Sequence, residues 1–344
     1  MQDPASQKQT GVPHPPPSRP PRPAVERGSV WVIALMVWLA VRVPRQPLVW
    51  MLHPIVCYYF CTAPQMRRHS RAFMTRVFQS CGIPRRADWR DTYKQLFTFA
   101  TTLIDRARLL GGQREGLDVV LSGVDEVHAT LANGGCVLLT AHIGAFDVMR
   151  ASARTDRVDV RVVMDREQGA RVGALLERLD PALAGRIIHA GQSGPAVLLA
   201  VKQAVAAGAL VGIMADRHIE GARHTLCDVL GVQVLLPLVP YLLADVLRVP
   251  LLLGFSVLEG DNRYKVLLET LDTSDLPPKR DDRVAELAAR YAVRLTAIAR
   301  QYPYNWFNFH DYFGDAATGD QQLDADDGTG SRAGRAAGRA ADGT

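Results

Sequence analysis

Residues 137–147 read VLLTAHIGAFD. The run at residues 136–140 is short, apolar and branched, as in a strand that is buried on both faces. Gly144 permits a tight turn, after which a second segment begins near Ala145. A buried strand followed by a helix is the unit from which α/β sheets are built. The sequence therefore predicts that His142 lies in a turn between a buried strand and a helix.

The spacing of His142 and Asp147 is that of a catalytic base and the acid that orients it. Residues five apart in a continuous helix lie about 140° apart around its axis, so the two side chains meet only if His142 precedes the helix. A carboxylate in the first turn is also favoured by the helix dipole. In this arrangement Asp147 accepts the Nδ1 proton, and Nε2 of His142 takes a proton from a hydroxyl. A purely structural histidine is the alternative interpretation.

Short strand-like runs alternate with helical ones along the middle of the chain. This alternation predicts an α/β fold with a central, mostly parallel sheet flanked by helices on both faces. The predicted strands are 118–121, 136–140, 158–164, 186–189 and 210–215, and the predicted helices are 125–132, a segment after Gly144, 173–179 and 195–207. We expect a hairpin of residues 251–258 and 264–269, followed by a closing helix at 283–300.

Two apolar stretches, residues 30–41 and 48–60, mark the N-terminal region. A membrane-spanning helix needs about 20 mainly apolar residues, so neither stretch is a clean span. Tryptophans and tyrosines in both stretches suit the membrane interface. A secretory signal peptide is the competing interpretation, but no small-residue cleavage site follows. We predict a hydrophobic helical segment that anchors the chain in a membrane, either spanning it or lying on one leaflet.

Residues 64–90 are strongly basic. They contain seven arginines and one acid, Asp88, and so carry more positive charge than the surplus of +5 for the whole chain. Nucleic-acid binding and a solvated face are the alternative interpretations. Because the segment directly follows apolar sequence, we expect it to meet an anionic membrane surface and no nucleic acid.

Composition divides the chain into four parts. Residues 1–28 are rich in proline and polar residues, and residues 314–344 in glycine, alanine, aspartate and arginine, which predicts two disordered tails. Between them we expect membrane-anchoring and amphipathic helices at 29–115 and the main domain at 116–313. The five cysteines have neither a C-x-x-C pair nor zinc-site spacing, so we expect no metal and a reduced, cytosol-facing domain.

Several motifs together resemble a known enzyme family. HIGAFD is similar to the H-x4-D/E signature of the glycerolipid and lipid A acyltransferase superfamily, and its surroundings resemble the lipid A biosynthesis (lauroyl/myristoyl) acyltransferase branch. The resemblance spans residues 28–313 and includes the N-terminal apolar segment, ALVGIMADR at 209–217, VLGVQVLLPLVPYLLA at 229–244 and PYNWFNFHDYF at 303–313. Ala145 and Val239 depart from the pattern, since the family often has asparagine and glycine there.

The resemblance implies an acyltransferase that moves a fatty acyl chain from an acyl-carrier protein or coenzyme A thioester to a lipid-linked acceptor. The acceptor would offer a hydroxyl or amine, as in a lipid A-like glycolipid or a lysophospholipid. His142 would be the general base and Asp147 its orienting acid, with no cofactor and no covalent acyl-enzyme. The expected location is the bacterial inner membrane, with the catalytic domain cytoplasmic. The alternative, favoured by the departures at Ala145 and Val239, is an inactive lipid-binding or scaffold protein of a glycolipid assembly pathway.

Further candidate residues follow predicted strands, where ligands of open α/β sheets gather. Arg217 is predicted to bind an acceptor phosphate or the donor's phosphopantetheine, with Asp216 fixing its guanidinium. A salt bridge between these two residues is the alternative. Backbone amides near Gly144 are expected to stabilise the oxyanion. Arg223, in the loop predicted after Arg217, is a weaker substrate-binding candidate.

The segment 302–313 is unusually aromatic, with seven aromatic residues in twelve positions. Such rings either line an acyl groove or pack on the core of the domain. The sequence leaves both interpretations open.

Overall fold

The computed structural model describes residues 30–155, 158–164, 185–190, 194–217 and 222–314. The predicted helix at 173–179 and nearly all of the two predicted tails lie outside these residues. The strands are β1 (Asp118–Ser122), β2 (Cys136–Thr140), β3 (Val160–Met164), β4 (Ile187–His189), β5 (Leu210–Met214), β6 (His224–Val229), β7 (Val232–Pro237), β8 (Leu251–Leu258) and β9 (Arg263–Thr270).

The main sheet has the strand order β1-β9-β8-β2-β5-β3-β4. Only β8 and β9 pair in antiparallel fashion, as the predicted hairpin requires. The other five pairings in the sheet are parallel. The prediction of a mostly parallel central sheet is therefore confirmed.

Strand β2 lies in the interior of this sheet because its sequence offers apolar side chains to both faces. All five of its residues are buried. Val137 and Leu139 belong to the larger core cluster, whereas Leu138 belongs to a second cluster on the opposite face. This alternation is what a strand covered on both sides requires.

Helices cover both faces of the sheet, as predicted. They are α5 (Val124–Leu131), α6 (Phe146–Thr155), α7 (Gly194–Ala206), α8 (Val239–Leu247) and α9 (Arg280–Gln301). Helix α9 places Leu287, Tyr291 and Leu295 in the larger core cluster. Helix α6 places Val148 and Met149 in the second cluster. The sheet thus lies between two layers of helices, with an apolar cluster on each of its faces.

Strands β6 and β7 form a separate two-stranded hairpin. The sequence predicted a loop after Arg217, but β6 begins at His224, immediately after Arg223. Leu230 and Gly231 connect the strands with φ values of 57° and 77°. Two positive φ angles are the requirement of the tight hairpin turn. Leucine rarely adopts this conformation, which is why the sequence did not reveal the turn.

Among the described residues, four helices precede the sheet: α1 (Val30–Arg42), α2 (Arg45–Thr62), α3 (Pro64–Ser80) and α4 (Trp89–Leu110). Asp88 and Asp91 form a capping box that fixes the start of α4. A buried, bidentate ion pair between Arg45 and Asp105 joins α2 to α4, at 2.7 and 2.9 Å. Tyr264 Oη on β9 donates to Asp105 Oδ2 at 2.8 Å, so α4 connects the N-terminal helices to the sheet.

None of the described helices combines the length and the apolar character needed to cross a bilayer. Anchoring of the chain in a membrane therefore stays a prediction.

Candidate active site

Two neighbouring strands bring His142 and Asp216 together. Strands β2 and β5 are parallel, and Thr140 at the end of one is paired with Met214 at the end of the other. Ala215 N continues the ladder by donating to Thr140 O at 2.9 Å. His142 and Asp216 therefore each stand two residues beyond the same rung of the ladder. This is the carboxyl edge of the sheet, where the sequence predicted both residues.

The carboxylate of Asp216 holds His142 at two points. Nδ1 of the imidazole lies 2.8 Å from Asp216 Oδ1, and the His142 backbone N–H donates to Asp216 Oδ2 at 3.0 Å. Because a carboxylate only accepts hydrogen bonds, this contact places the ring proton on Nδ1. Nε2 is then the nitrogen with a lone pair available to a substrate proton.

Asp216 is fully buried, yet it is ionised. Burial by itself would raise the pKa of this carboxyl group, but its interactions with His142 and the charge of Arg217 outweigh it and hold the pKa below its ordinary value. A permanent negative charge beside Nδ1 stabilises the imidazolium that forms when Nε2 accepts a proton. The His142 side chain remains 34% exposed, so a substrate has access to it.

Asp147 does not hold His142 through Nδ1, contrary to the sequence prediction. It lies in the first turn of α6, as predicted. Its Oδ2 is 2.8 Å from Arg106 Nε on α4, and its Oδ1 is 3.4 Å from Arg150 Nε. The predicted Nδ1 pairing is therefore wrong, because Asp147 faces α4 and Asp216 occupies the position beside the imidazole. A catalytic role for Asp147 stays a prediction.

Gly144 forms the turn, as the sequence predicted. Its φ is +60°, and a Cβ at this position would collide with the carbonyl of Ser256 on β8. Gly144 N donates to Asn305 O and Ala145 N donates to Ser256 O, both at 2.8 Å. These two amides are thus already bonded within the protein. The prediction that amides near Gly144 stabilise an oxyanion is wrong for these two groups.

The site also includes Trp306, which sequence reasoning missed. Trp306 Nε1 donates to Asp216 Oδ2 at 3.0 Å. Its ring is fully buried and packs edge-on against Phe73, with centroids 5.3 Å apart. The backbone of the same segment binds the turn that carries His142, since Phe307 N donates to His142 O at 3.1 Å. Of the two interpretations of the aromatic segment, packing on the core is confirmed for Trp306.

Arg217 lies beside this site but is not fixed by Asp216. Its Nη2 donates to Phe307 O at 2.9 Å and to Asn308 Oδ1 at 3.4 Å. The structure leaves Arg217 Nε and Asn308 Nδ2 buried without an acceptor among the described residues. Burial lowers the pKa of the Arg217 guanidinium, while the charge of Asp216 opposes this change. The predicted fixing of Arg217 by Asp216 is wrong, because the described side-chain hydrogen bonds of Asp216 go to His142 and Trp306 and none joins it to Arg217.

Arg223, the weaker substrate-binding candidate, contacts a different part of the molecule. Its Nη2 lies 3.2 Å from Asp281 Oδ1 at the start of α9, and both side chains are largely exposed. Among the described residues, Arg223 and His142 do not contact each other. A role for Arg223 in substrate binding stays a prediction without geometric support.

Neither a metal site nor a related protein identifies the function of this site. No group of three or more histidine, cysteine, aspartate or glutamate side chains with metal-binding geometry occurs among the described residues. No protein-family model matches the chain, and no curated protein matches it. The site is therefore interpreted from its own geometry and from the motifs of the sequence.

Proposed function

We propose that the protein is an acyltransferase that moves a fatty acyl chain from a thioester donor to a hydroxyl or amine of a lipid-linked acceptor. The observation that carries the proposal is the hydrogen bond between His142 Nδ1 and the buried carboxylate of Asp216. It orients Nε2 as a base at the carboxyl edge of an α/β sheet. The motif resemblance to the lipid A biosynthesis acyltransferases supplies the substrate class.

The proposed reaction is a direct transfer. Nε2 of His142 takes the proton of the acceptor hydroxyl as its oxygen attacks the thioester carbonyl carbon. The tetrahedral intermediate collapses, the C–S bond breaks, and the thiolate takes the proton back from the imidazolium. Asp216 stabilises the imidazolium between these two steps. The product is the acylated acceptor and a free thiol, and the sequence of steps needs neither a metal nor a covalent acyl-enzyme.

Arg217 is the proposed anion-binding group of the site. Both possible donors carry phosphopantetheine, and lipid acceptors commonly carry phosphates, so either substrate brings a phosphate group that an arginine can bind. The buried Nε of Arg217 and Nδ2 of Asn308 are donors that such a group would satisfy. Whether the donor is acyl-carrier protein or acyl-coenzyme A is decided by the assay described below.

We propose that the enzyme acts at a membrane surface. Trp38, Trp50, Tyr58 and Tyr59 are exposed on α1 and α2. Such side chains favour the interfacial region of a bilayer. The arginine-rich segment 64–90 would add electrostatic attraction to anionic lipids. We place the enzyme on the cytoplasmic face of the bacterial inner membrane.

The proposal is tested by incubating the purified full chain with candidate lipid acceptors and a radiolabelled fatty acyl chain. The labelled chain is carried as a thioester by acyl-carrier protein or by coenzyme A. His142→Ala should abolish label transfer while leaving the fold and vesicle binding intact. His128→Ala, which removes an exposed histidine of α5, is the matched control and should remain active. A fully active His142→Ala variant would refute the proposal.

The second candidate is a catalytically inactive lipid-binding or scaffold protein. It is favoured by one specific observation, that the amides of Gly144 and Ala145 are already bonded to carbonyl groups. The same assay separates the two functions. Lipid binding without transfer from either donor, by a wild-type chain with a native fold, would support the scaffold.

A further inference from the structure

A second polar site lies apart from His142, at the turn between α1 and α2. A cleft of about 450 Å³ opens there against the C-terminal end of α4. None of its lining residues belongs to the candidate active site. Its polar lining consists mainly of Arg42, Arg45, Gln46, Arg108, Gln113 and Asn262.

The cleft carries an excess of positive charge. Of its three arginines, Arg45 is neutralised by its ion pair with Asp105. Arg42 and Arg108 remain, and the carboxylate that lines the cleft with them is that of the exposed Glu115. Two cations facing one solvated carboxylate favour an anionic ligand.

Arg108 is the residue of the cleft that most strongly favours an anionic ligand. Its side chain is only 4% exposed. Nη1 donates to Ala40 O at 3.0 Å and to Val43 O at 2.7 Å, which closes the C-terminal end of α1. Nε is buried without an acceptor among the described residues. Burial, and to a smaller extent the charge of Arg45, lower the pKa of this guanidinium, although the charges of Asp105 and Glu115 oppose the change. No ion pair of Arg108 is present among the described residues, and a buried cation without a direct ion pair is costly, so an anion in the cleft would stabilise it.

The N-terminus of α2 opens into the same cleft. Pro44, Arg45 and Gln46 all line it. Pro44 is the N-cap residue, and no side chain caps the helix. In the first turn of α2 the amides of Arg45 and Gln46 have no acceptor within the helix and are available to an anion, whereas Pro47 has no N–H. The uncapped end of an 18-residue helix and the buried Arg108 therefore favour the same kind of ligand.

We propose that this cleft binds the phosphate group of an anionic membrane phospholipid. A membrane source is favoured by the side chains on either side of the turn, since Trp38 is 50% exposed and Trp50 is 71% exposed. The Arg42 guanidinium lies over the Trp38 ring, 4.7 Å from its centroid. Tryptophans beside an arginine are the pattern of a protein surface at lipid headgroup level.

Binding is measured by titration calorimetry on the full chain with short-chain phosphatidic acid below its micelle concentration. Inorganic phosphate and short-chain diacylglycerol are the comparison ligands. Arg42→Gln removes a cation of the cleft, and Gln113→Glu places a carboxylate in it. Each should weaken phosphatidic acid binding by about tenfold or more, the effect of losing or opposing one charge-assisted contact. Diacylglycerol should not bind.

Lys202→Gln and Gln203→Glu make the same kinds of charge change on two exposed positions of α7 and should leave binding unchanged. His142→Ala should also bind normally, so failure of this proposal is distinguishable from failure of the proposed function. Inorganic phosphate binding as tightly as phosphatidic acid would overturn the membrane source. Equal losses in the α7 controls, or no loss in the cleft variants, would overturn the site itself.

Discussion

His142 and Asp216 are 74 residues apart in the chain, yet the imidazole Nδ1 lies 2.8 Å from the Asp216 carboxylate. The same carboxylate accepts the backbone N–H of His142 and the indole N–H of Trp306. The orienting acid is thus supplied by the neighbouring strand β5 and not by helix α6. This relationship gives predictions that separate the two aspartates.

Asp216→Asn should lower kcat for acyl transfer by roughly a hundredfold to ten-thousandfold, because an amide neither favours the Nδ1–H tautomer nor stabilises the imidazolium. Asp147→Asn should act mainly on the free energy of unfolding, because it breaks the ion pairs with Arg106 and Arg150. Initial rates and urea unfolding of both variants check this. Equal losses of kcat at unchanged stability would return the orienting role to Asp147.

Trp306→Phe should destabilise the protein by about 1–3 kcal/mol, because a buried Asp216 oxygen loses a donor. We also expect a reduced kcat, since the carboxylate that orients His142 becomes less firmly held. Trp89→Phe is the matched control, because Trp89 is 60% exposed and should change neither quantity. An active, fully stable Trp306→Phe variant would show that the indole bond does not support the site.

Gly144→Ala should destabilise the fold strongly. The left-handed conformation alone costs an alanine about 1–2 kcal/mol, and the added Cβ collides with the Ser256 carbonyl. Gly82 has a φ of +72° with no atom within 4 Å of an added Cβ. Gly82→Ala therefore carries the conformational cost without the collision. Thermal unfolding should show a clearly larger loss for Gly144→Ala, and equal losses would contradict the close approach of Ser256.

Asp91 should make the stability of the protein dependent on acid pH. Its bond with Arg85 and, more weakly, the Asp88 amide outweigh the effect of burial and lower the pKa of this carboxyl group from 3.8 to about 2. A carboxyl group whose pKa is lowered in the folded state stabilises the fold fully above its unfolded pKa of about 4. That contribution is lost as the pH falls from about 4 toward 2.

Urea unfolding of the wild type and Asp91→Asn across this pH range checks the prediction. The difference in the free energy of unfolding between the two proteins should shrink as the pH falls. Asp261→Asn changes an exposed aspartate of the β8–β9 turn and should run parallel to the wild type at every pH. A constant difference between wild type and Asp91→Asn would contradict the lowered pKa.

The parts of the fold that were predictable are those encoded by local patterns. The buried run of β2, the glycine turn at Gly144 and the closing helix α9 are properties of short segments, so the sequence alone indicated them. The hairpin turn at Leu230 was not predictable, because leucine seldom has a positive φ. Its amide is held instead by Thr296 Oγ1 on α9 at 3.1 Å, a contact between residues distant in the chain.

The candidate site also has features that the sequence predicted and features that it did not. The sequence by itself determined that His142 follows a buried strand, that Gly144 turns the chain and that Asp147 lies in the first turn of a helix. Only the tertiary structure decided which carboxylate meets the imidazole, because that choice depends on the parallel pairing of β2 with β5. The same pairing and the returning C-terminal segment brought Trp306 to Asp216. Local sequence determines which element carries a residue, but the partner of its side chain is set by the packing of strands that are distant in the chain.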